Sequence, residues 1–425
     1  MSALLKTCLL ALLCLLSATA QEPLTLEHCL QLSQAHHPEP RLAQARLRQA
    51  ELAYDSADAL PSAQLGVGSW QGRGDTLLNA NYIAQNRGDY YVFMQQQFRP
   101  PGQSASRKEL ARFELESLRG EVQMGRLRRQ QEVRDAFYQV VAAQQLSDLS
   151  QESLHLAEEL LRIARLRVRA GTSPRMDELN ATIQRNRAEQ DLRLARRQLS
   201  QSRALLGPLI GRPAVNELIC QGELARLPQL APYADLAAQA QQHPKLQAAR
   251  AQLEASRQQL KVAQQQGGPV PGILGVYDLA RPSYAVQLTL SIPLDWGELG
   301  SEVDQRRAAE EQRLHQLEAE ILALEVEVAR NYQACISAGE ELASYREQIL
   351  APAEELVKVT RYGYERGALP YLQLVTVQQQ LSSLRRDFVQ RQLEGQLAFS
   401  ALQTALGREA GQFDAAVPHT EPPTR

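Results

Sequence analysis

The sequence predicts a mainly α-helical protein that is built from two copies of one unit and carries a few short membrane β-strands. Residues 149–212 resemble residues 345–408, so that the tetrapeptide AEEL at 157–160 recurs at 353–356. Only 5% of the residues are aromatic, and Ala, Leu, Gln, Glu and Arg dominate, which is typical of long helices. Residues 284–294 alternate between apolar and polar side chains, the pattern of a strand. A repeat of this length excludes a solenoid of short repeats.

The first twenty residues have the pattern of a secretory signal peptide. Lys6 precedes an apolar run at 9–16, and small residues at 18–20 supply a cleavage site. No later run of apolar residues is long enough for a transmembrane helix. The net charge of −2 gives no sign of a nucleic-acid partner. We therefore expect an exported protein that crosses no membrane as a helix.

Three cysteines remain after cleavage, and they stand far apart. Cys29, Cys220 and Cys335 form neither a disulfide framework nor a zinc-binding spacing. We expect them to be buried small side chains. No cofactor and no metal site is predicted.

The first repeat is predicted to occupy residues 21–232. It begins with a helix that breaks before Pro38, because a residue that precedes proline is pushed out of the helical region. Two strands follow (62–72 and 89–99), and then comes a long helix. At about 1.5 Å per residue, that helix would be roughly 100 Å long. It turns at residues 171–174 into a returning helix, and residues 207–232 form a connector.

The second repeat, residues 233–411, is predicted to contain the same elements in the same order. Its strands are expected at 269–278 and 284–296, and its hairpin turn at 367–370. In the first turn, Gly171 suits a helix C-cap, Ser173 an N-cap and Pro174 the first helical position. Residues 412–425 are predicted to be a disordered tail.

The strands have features of membrane β-structure. Alternation over about ten residues is what a strand with one face to lipid and one to a lumen shows. A periplasmic sheet with one buried face would show the same alternation. Aromatic residues at the strand ends are candidates for a girdle at the membrane surface: Trp70, Tyr90, Tyr91, Tyr277, Tyr284 and Trp296.

Four strands cannot form a membrane barrel by themselves. Lipid leaves the open edge of a sheet unsatisfied, so membrane β-structure must close. The smallest such barrels have about eight strands. Several copies of the chain must therefore combine, in a number that a closed symmetry fixes. The long hairpins also need neighbours to bury their apolar sides.

Duplication, export, two strand pairs and two long hairpins together resemble the TolC-like outer-membrane efflux factors. The resemblance extends over essentially the whole mature chain. Its marks are paired motifs, one of each pair in either repeat: His-Pro at 37–38 and 243–244, the turn glycines Gly171 and Gly367, and Leu-Gly at 206–207 and 406–407. The resemblance implies a homotrimer with a twelve-stranded barrel in the bacterial outer membrane, continued by an α-helical barrel in the periplasm.

The resemblance also implies a function and partners. Such proteins are exit ducts of tripartite efflux pumps or of type I secretion, and they work with a periplasmic adaptor and an inner-membrane transporter of RND or ABC type. His37-Pro38 and the segment 99–102 (RPPG) look similar to the subgroup that serves heavy-metal pumps. Metal binding by His36 and His37 is a competing interpretation of the first motif. The exported substrate, whether metal, drug or protein, is not specified by the sequence.

By the resemblance, the hairpin tips close the tunnel and dock the adaptor. The candidate docking residues are Gly171, Thr172, Ser173, Pro174, Gly367, Ala368, Leu369 and Pro370. Asp177 matches an aspartate that the family often has after the turn glycine. Gln373, a further gate candidate, stands at the corresponding place in the second hairpin and is not acidic. Tyr364 matches a tyrosine near the second turn.

We hypothesise that Asp177 and Tyr364, with Arg361 or Arg366, hydrogen-bond between the hairpins and hold the periplasmic gate closed. Such bonds contribute about 1–3 kcal/mol. The alternative is that Asp177 only complements the dipole at the start of a helix.

The sequence argues against two other classes of protein. An enzyme is not supported, because the sequence lacks a P-loop, a zinc-protease motif and a nucleophile elbow. A soluble periplasmic coiled-coil adaptor would explain the hairpins and the export, but it would not need the alternating strand or the aromatic residues at the strand ends.

Overall fold

The computed structural model describes residues 24–70, 89–212, 219–224, 227–228, 230–279, 283–294, 297–366 and 368–408. The predicted signal peptide, the loop at 71–88 and the predicted tail lie outside these residues. The chain is mainly helical and divides into two compact units. The first unit comprises residues 1–41, 124–243 and 324–425, and the second comprises residues 42–123 and 244–323.

Helices and strands follow one another in the predicted order in the first repeat. Thr25 caps the first helix by accepting a hydrogen bond from the His28 N–H over 3.3 Å. His37 has an extended backbone (ψ 142°) and separates the first two helices, as expected for a residue before proline. The elements are α1 Leu26–His36, α2 Pro38–Ser56, β1 Gln64–Trp70, β2 Asp89–Gln97, α3 Gln103–Arg169 and α4 Arg175–Leu209.

The second repeat has the same order with one additional feature, a π-helical segment at Tyr345–Leu350. Its elements are α5 Tyr233–Ala240, α6 Pro244–Gln266, β3 Val270–Asp278, β4 Ser283–Ser291, α7 Glu298–Ser344, α8 Ala351–Glu365 and α9 Tyr371–Ala405. The strand predicted at 284–296 thus ends earlier, at Ser291. Pro293 has no N–H for a ladder, which explains this end.

The π-helical segment lies just before Pro352, which gives it a physical cause. A proline inside a helix has no N–H for the carbonyl four residues earlier and clashes with it. One wider turn accommodates this defect. Tyr345 is buried there, stacks on Phe388 with ring centroids 6.1 Å apart, and donates its hydroxyl to the Leu384 carbonyl over 3.3 Å. The first repeat has Leu156 at the matching position, and its helix is continuous.

The second unit contains a four-stranded antiparallel sheet in the order β1-β2-β3-β4. One face of the sheet is apolar and exposed. Cross-strand neighbours such as Leu65 and Met94, or Tyr277 and Tyr284, lie on this face. Its exposed apolar members are Leu65, Val67, Tyr90, Met94, Ile273, Tyr277, Tyr284, Val286, Leu288 and Leu290. The other face of β4 carries Ala285, Gln287 and Thr289. In the described chain, β1 and β4 each have a free edge.

Two glycines in β1 are covered by aromatic rings from β2. Gly66 pairs with Phe93 and Gly68 with Tyr91. A Cβ atom at Gly66 would lie 2.4 Å from the Phe93 ring, and one at Gly68 would lie 2.5 Å from the Tyr91 ring. Aromatic side chains over strand glycines protect the exposed backbone and fix the register.

In the helical part of the second unit, the helix α6 has many buried residues. Leu246, Ala248 and Leu253 are among its buried residues. The long helix α3 approaches it closely at Gly120, where an added Cβ atom would lie 2.8 Å from the Ala248 Cβ and 3.0 Å from the Pro244 carbonyl oxygen. Only glycine allows this approach.

The core of the first unit lies between α3, α4 and the chain around Cys220. Phe137 of α3, Leu206 of α4 and Ile210, which directly follows α4, are almost fully buried. Leu24 forms a parallel β-bridge with Cys220, which ties the two segments together at this core. Cys29, Cys220 and Cys335 are buried and free, which confirms the prediction for the cysteines.

Arg134 is a buried charged residue of the first unit that joins α3 to α9. It is only 3% exposed. Its guanidinium donates to the Gln403 side-chain oxygen, to the Thr404 hydroxyl over 3.2 Å and to the Ser400 carbonyl over 3.5 Å. Burial lowers the pKa of Arg134 and raises that of the adjoining Asp135 carboxyl. Loss of one partner would leave a buried charge unpaired, which is costly.

Candidate functional site

The first hairpin turn is closed by a glycine with a left-handed backbone. Gly171 has φ +73°, a conformation that favours glycine. The Thr172 N–H donates to the Arg167 carbonyl over 2.9 Å, and the Gly171 N–H donates to the Val168 carbonyl over 3.1 Å. These are the two bonds of a Schellman cap. The Thr172 hydroxyl also donates to the Arg167 carbonyl.

The described residues beside the second hairpin turn repeat part of this geometry. The Ala368 N–H donates to the Gly363 carbonyl over 2.9 Å, at the position of the Thr172 bond. Pro370 has φ −71° and ψ 151°, and Pro174 has φ −70° and ψ 152°. Gly367 lies outside the described residues. The described backbone at Ala368 and Pro370 therefore matches that at Thr172 and Pro174, although the side chains differ.

The predicted cap of the returning helix is wrong by one residue. Pro174, not Ser173, is the N-cap, and the helix begins at Arg175. The extended ψ angle of Pro174 keeps this residue out of the helix, while its carbonyl accepts the first helical bond from Asp177 over 3.0 Å.

The two hairpins meet in an apolar cluster near their turns. The first hairpin contributes Leu161, Ala164 and Ala181, and the second contributes Tyr364, Tyr371, Leu374 and Val375. The rings of Tyr364 and Tyr371 meet edge to face, with centroids 6.1 Å apart. Tyr364 is 4% exposed and Leu374 is 1% exposed. Apolar and aromatic packing therefore joins the two hairpins near their turns.

Asp177 lies near both tyrosines. Burial raises the pKa of Tyr364, the Arg167 guanidinium opposes this rise, and the Asp177 carboxylate adds to it. Burial, Tyr364 and Asp177 together raise the pKa of Tyr371 to about 12. Among the described residues, the Asp177 carboxylate and the Tyr364 hydroxyl share no hydrogen bond. Their relation within one chain is electrostatic.

The guanidinium group on Tyr364 comes from the first hairpin. Arg167 lies over the Tyr364 ring at 4.4 Å from its centroid, a cation–π distance. Arg366 lies over the neighbouring Tyr362 at 4.1 Å, and Arg361 is exposed, as is Gln373. Sequence reasoning missed Arg167, because nothing in the arginine-rich end of α3 distinguishes it. Tyr371 was also missed, although its place directly after Pro370 made it the first residue of a helix.

At the other candidate site, the sheet, the strand-end aromatics do not all share one face. Tyr90, Tyr277 and Tyr284 are exposed on the apolar face. Tyr91 belongs to the opposite face, where its ring covers Gly68, because consecutive strand residues point to opposite sides. Trp70 ends β1, and Trp296 lies outside the described residues.

The histidines at the helix break hold no metal site in the described chain. The Glu39 N–H donates to Nδ1 of His37 over 3.3 Å, and His36 is exposed. Among the described residues, no group of three or more His, Cys, Asp or Glu side chains could hold a metal ion. Every helix in the described part of the chain is too short or too polar to cross a lipid bilayer.

Comparison with known proteins identifies the family. The model of the outer membrane efflux protein family matches residues 29–212 and 236–408, one match in each repeat. The chain belongs to this family. Outer membrane efflux proteins are channels of the outer membrane that extend into the periplasm, and the fold class predicted from the sequence, mainly helical and duplicated, is confirmed.

Individual relatives agree with this membership. The cobalt-zinc-cadmium resistance protein CzcC of Cupriavidus metallidurans is 24% identical over 315 residues, which are 71% of this chain and 71% of CzcC. The structure of VceC from Vibrio cholerae superposes with a TM-score of 0.73 at 19% identity, covering 90% of this chain and 96% of VceC. The structure of the open-state MtrE channel of Neisseria gonorrhoeae also superposes with a TM-score of 0.73, at 16% identity, covering 90% of this chain and 89% of MtrE. These two structures establish the likeness in fold.

Proposed function

We propose that three copies of this outer membrane efflux protein form the exit duct of a tripartite efflux pump. Each copy would contribute its four strands to a twelve-stranded barrel in the outer membrane and its two hairpins to a helical tube in the periplasm. Substrates would pass passively through the duct after an inner-membrane transporter and a periplasmic adaptor hand them over. No step of this function needs a catalytic residue or a cofactor.

The observation that carries the proposal is the exposed apolar face of the sheet. Leu288 is 81% exposed and Tyr284 is 83% exposed, and water would make such a face unfavourable. In lipid, this face is matched to its surroundings. The free edges of β1 and β4 support closure with other copies, because lipid cannot satisfy an open edge.

Cell fractionation and gel mobility test this assembly. The wild-type protein should be recovered from the outer membrane only with detergent, and should migrate as a trimer that heating converts to a monomer. Recovery from the soluble periplasm without detergent would instead favour a coiled-coil adaptor.

For the cargo, we propose divalent transition-metal ions. The support is the similarity to CzcC, whose name states cobalt, zinc and cadmium resistance. Deletion of the gene should lower the tolerated concentrations of these three ions and leave the tolerance of hydrophobic drugs unchanged. The opposite pattern would indicate a drug pump, and loss of a secreted protein would indicate type I secretion.

For the periplasmic gate, we propose the group around Asp177, Tyr364 and the nearby Arg361 and Arg366. Asp177 is a charged group of the first hairpin beside the tyrosine cluster that joins the hairpins. Asp177→Ala should increase the single-channel conductance of the closed channel. Gln373→Ala changes the uncharged gate candidate at the matched position of the second hairpin and should change the conductance less, because it removes no charge. Unchanged conductance in Asp177→Ala would refute the gate.

A further inference from the structure

The π-helical segment Tyr345–Leu350 weakens the second hairpin between α7 and α8. The Ala351 N–H donates to the carbonyl of Arg346, five residues earlier, so this turn is wider than an α-helical one. Pro352 follows and has no N–H for the carbonyl four residues before it. Prolines and π-bulges are two of the few features at which helices kink sharply.

The wide turn accommodates one residue that the first repeat lacks. Gly102 and Gly297 have positive φ angles directly before the long helices, and they are 195 residues apart. Val133 and Val328, which are both buried, are also 195 residues apart. The two AEEL segments that follow are 196 residues apart. The second repeat therefore contains one extra residue between these points, and the helix takes it up as a turn of π-helix.

The returning helix of the second hairpin has a weak point of its own at the same height. The Tyr345 hydroxyl donates to the Leu384 carbonyl, next to the pair Ser382-Ser383 of α9. The Ser383 hydroxyl donates to the Gln380 carbonyl over 2.9 Å, and such bonds compete with helical ones and often bend a helix. Adjacent serines are a third common place for kinks. The first hairpin has Asn186-Arg187 at the matched positions.

Burial along the two hairpins differs in the same region. Ser150, Leu154 and Leu161 anchor α3 within one chain, because each is at most 8% exposed. In the second hairpin, the structure describes every residue from 346 to 359, and none of these side chains is buried. A bend in this stretch would therefore expose little of the core of one chain.

The segment above the weak point is held in place. The Arg391 guanidinium lies 5.0 Å from the centroid of the Tyr345 ring, and Arg391 forms an ion pair of 2.7 Å with Glu341. Together with the stack on Phe388, these contacts fix the end of α7 against α9. Bending is thereby confined to the part of the hairpin below Tyr345.

A weaker contact spans the bend itself. Arg385 of α9 lies 3.0 Å from the Glu354 carboxylate and 3.6 Å from the Glu152 carboxylate of the first hairpin. Ion pairs that are this exposed contribute little to stability. They can hold the straight hairpin and still break when it bends.

We propose that the π-helical segment and the pair Ser382-Ser383 form a hinge, at which the lower part of the second hairpin bends when the duct opens. The inference rests on the proposed function, because it states where the gate of that duct moves. From Pro352 to Glu365, α8 is about 20 Å long, and a kink of about 20° would move its end by about 7 Å. This movement would separate Tyr364 from Arg167, whereas the continuous α3 stays straight.

Removal of the extra residue tests the hinge. In the full-length trimer, deletion of the exposed Gln348 with Pro352→Leu should give one continuous helix, as in the first repeat. Straightening restores about two backbone hydrogen bonds that a kink must then break, so the opening frequency in single-channel recordings should fall at least about tenfold.

Two further variants complete this test. Gln348→Ala keeps the extra residue and is the matched control, and it should change the opening frequency less than about twofold. Pro352→Leu with Ser383→Ala keeps the chain length and serves where the deletion variant yields no trimer. It should lower the opening frequency at least about threefold.

Spin labels locate the movement. Nitroxides on Thr172→Cys and Ala368→Cys in one copy of the trimer report the distance between the two turns, since the three native thiols are buried. Electron–electron double resonance should show a second distance in the wild type, about 7 Å longer than the first. The deletion variant should lack it.

Three outcomes would overturn the hinge. The first is an equal opening frequency in the wild type and in the variants with a straightened helix. The second is an effect of Gln348→Ala as large as that of the deletion, which would assign the effect to the side chain. The third is the same distance distribution in the wild type and the deletion variant. A wild-type trimer that conducts no current would instead contradict the proposed duct, so the two failures are distinguishable.

Discussion

An arginine on the apolar face of the sheet should distinguish a lipid-facing surface from a water-facing one. Leu288 lies near the middle of β4, and Gln287 precedes it on the opposite face. Leu288 is 81% exposed, so Leu288→Arg removes little packing within the chain. Any large effect of this substitution must come from the surroundings of the sheet. Gln287→Arg is the matched control, one residue away on the same strand.

The expected magnitude follows from the cost of charge in lipid. An arginine at the bilayer midplane of a membrane barrel costs about 2–4 kcal/mol on the lipid face. That cost corresponds to roughly thirty- to several-hundred-fold in the folding equilibrium constant. On a water-facing surface, the same substitution would change stability by about 0.5 kcal/mol or less.

Guanidinium unfolding in lipid vesicles measures this difference. Leu288→Arg should lower the free energy of unfolding by about 2–4 kcal/mol, and Gln287→Arg should leave it nearly unchanged. The reasoning is refuted if Leu288→Arg is as stable as the wild type in lipid, or if both variants lose the same amount.

Three further predictions concern the helices and the hairpin cluster. Gly120→Ala should destabilise the protein by about 1 kcal/mol, because the 2.8 Å contact with Ala248 outweighs the gain in helix propensity. A Cβ atom at Gly125 would meet nothing within 4 Å, so Gly125→Ala should stabilise the protein by about 1 kcal/mol. Chemical denaturation measures both changes in the free energy of unfolding. If both changes have the same sign, the close packing at Gly120 is contradicted. Pro352→Leu should slow amide exchange at 345–356, and unchanged exchange would show that proline does not cause the π-helical segment. Tyr371, with a pKa raised to about 12, stabilises the fold below pH 10, and this contribution is lost as the pH rises from about 10 to 12. Tyr371→Phe should reduce the loss of stability at alkaline pH, measured by unfolding and by tyrosinate absorbance. A loss as large as that of the wild type would contradict a contribution from this phenol.

The spacing of apolar residues and the residue types at the turns made most of the fold predictable. The alternation in 284–294 gave a strand, and Gly171 and Pro174 gave a hairpin turn, because these signals are local. The π-helical segment was missed because Pro352 was not considered as a helix defect within a strongly periodic stretch. The end of β4 was placed too late, because the apolar alternation continues through Ile292 and Leu294, which are exposed but outside the ladder.

The candidate site was less predictable than the fold. Asp177 and Tyr364 could be named from their distance to a turn, but Arg167 could not, since only packing chooses one arginine among several. Tyr371 and Leu374 come close to the first hairpin through contacts that are distant in the sequence. Arg134 was also not separable from the exposed arginines of α3, because its burial depends on α9.

The central claim is that copies of this chain combine into a conducting duct, and planar-bilayer recording of the purified protein tests it most directly. We expect that a trimer, verified by native mass spectrometry, inserts without a partner and gives discrete steps of ionic current. A folded protein that stays monomeric and produces no current steps would contradict the account.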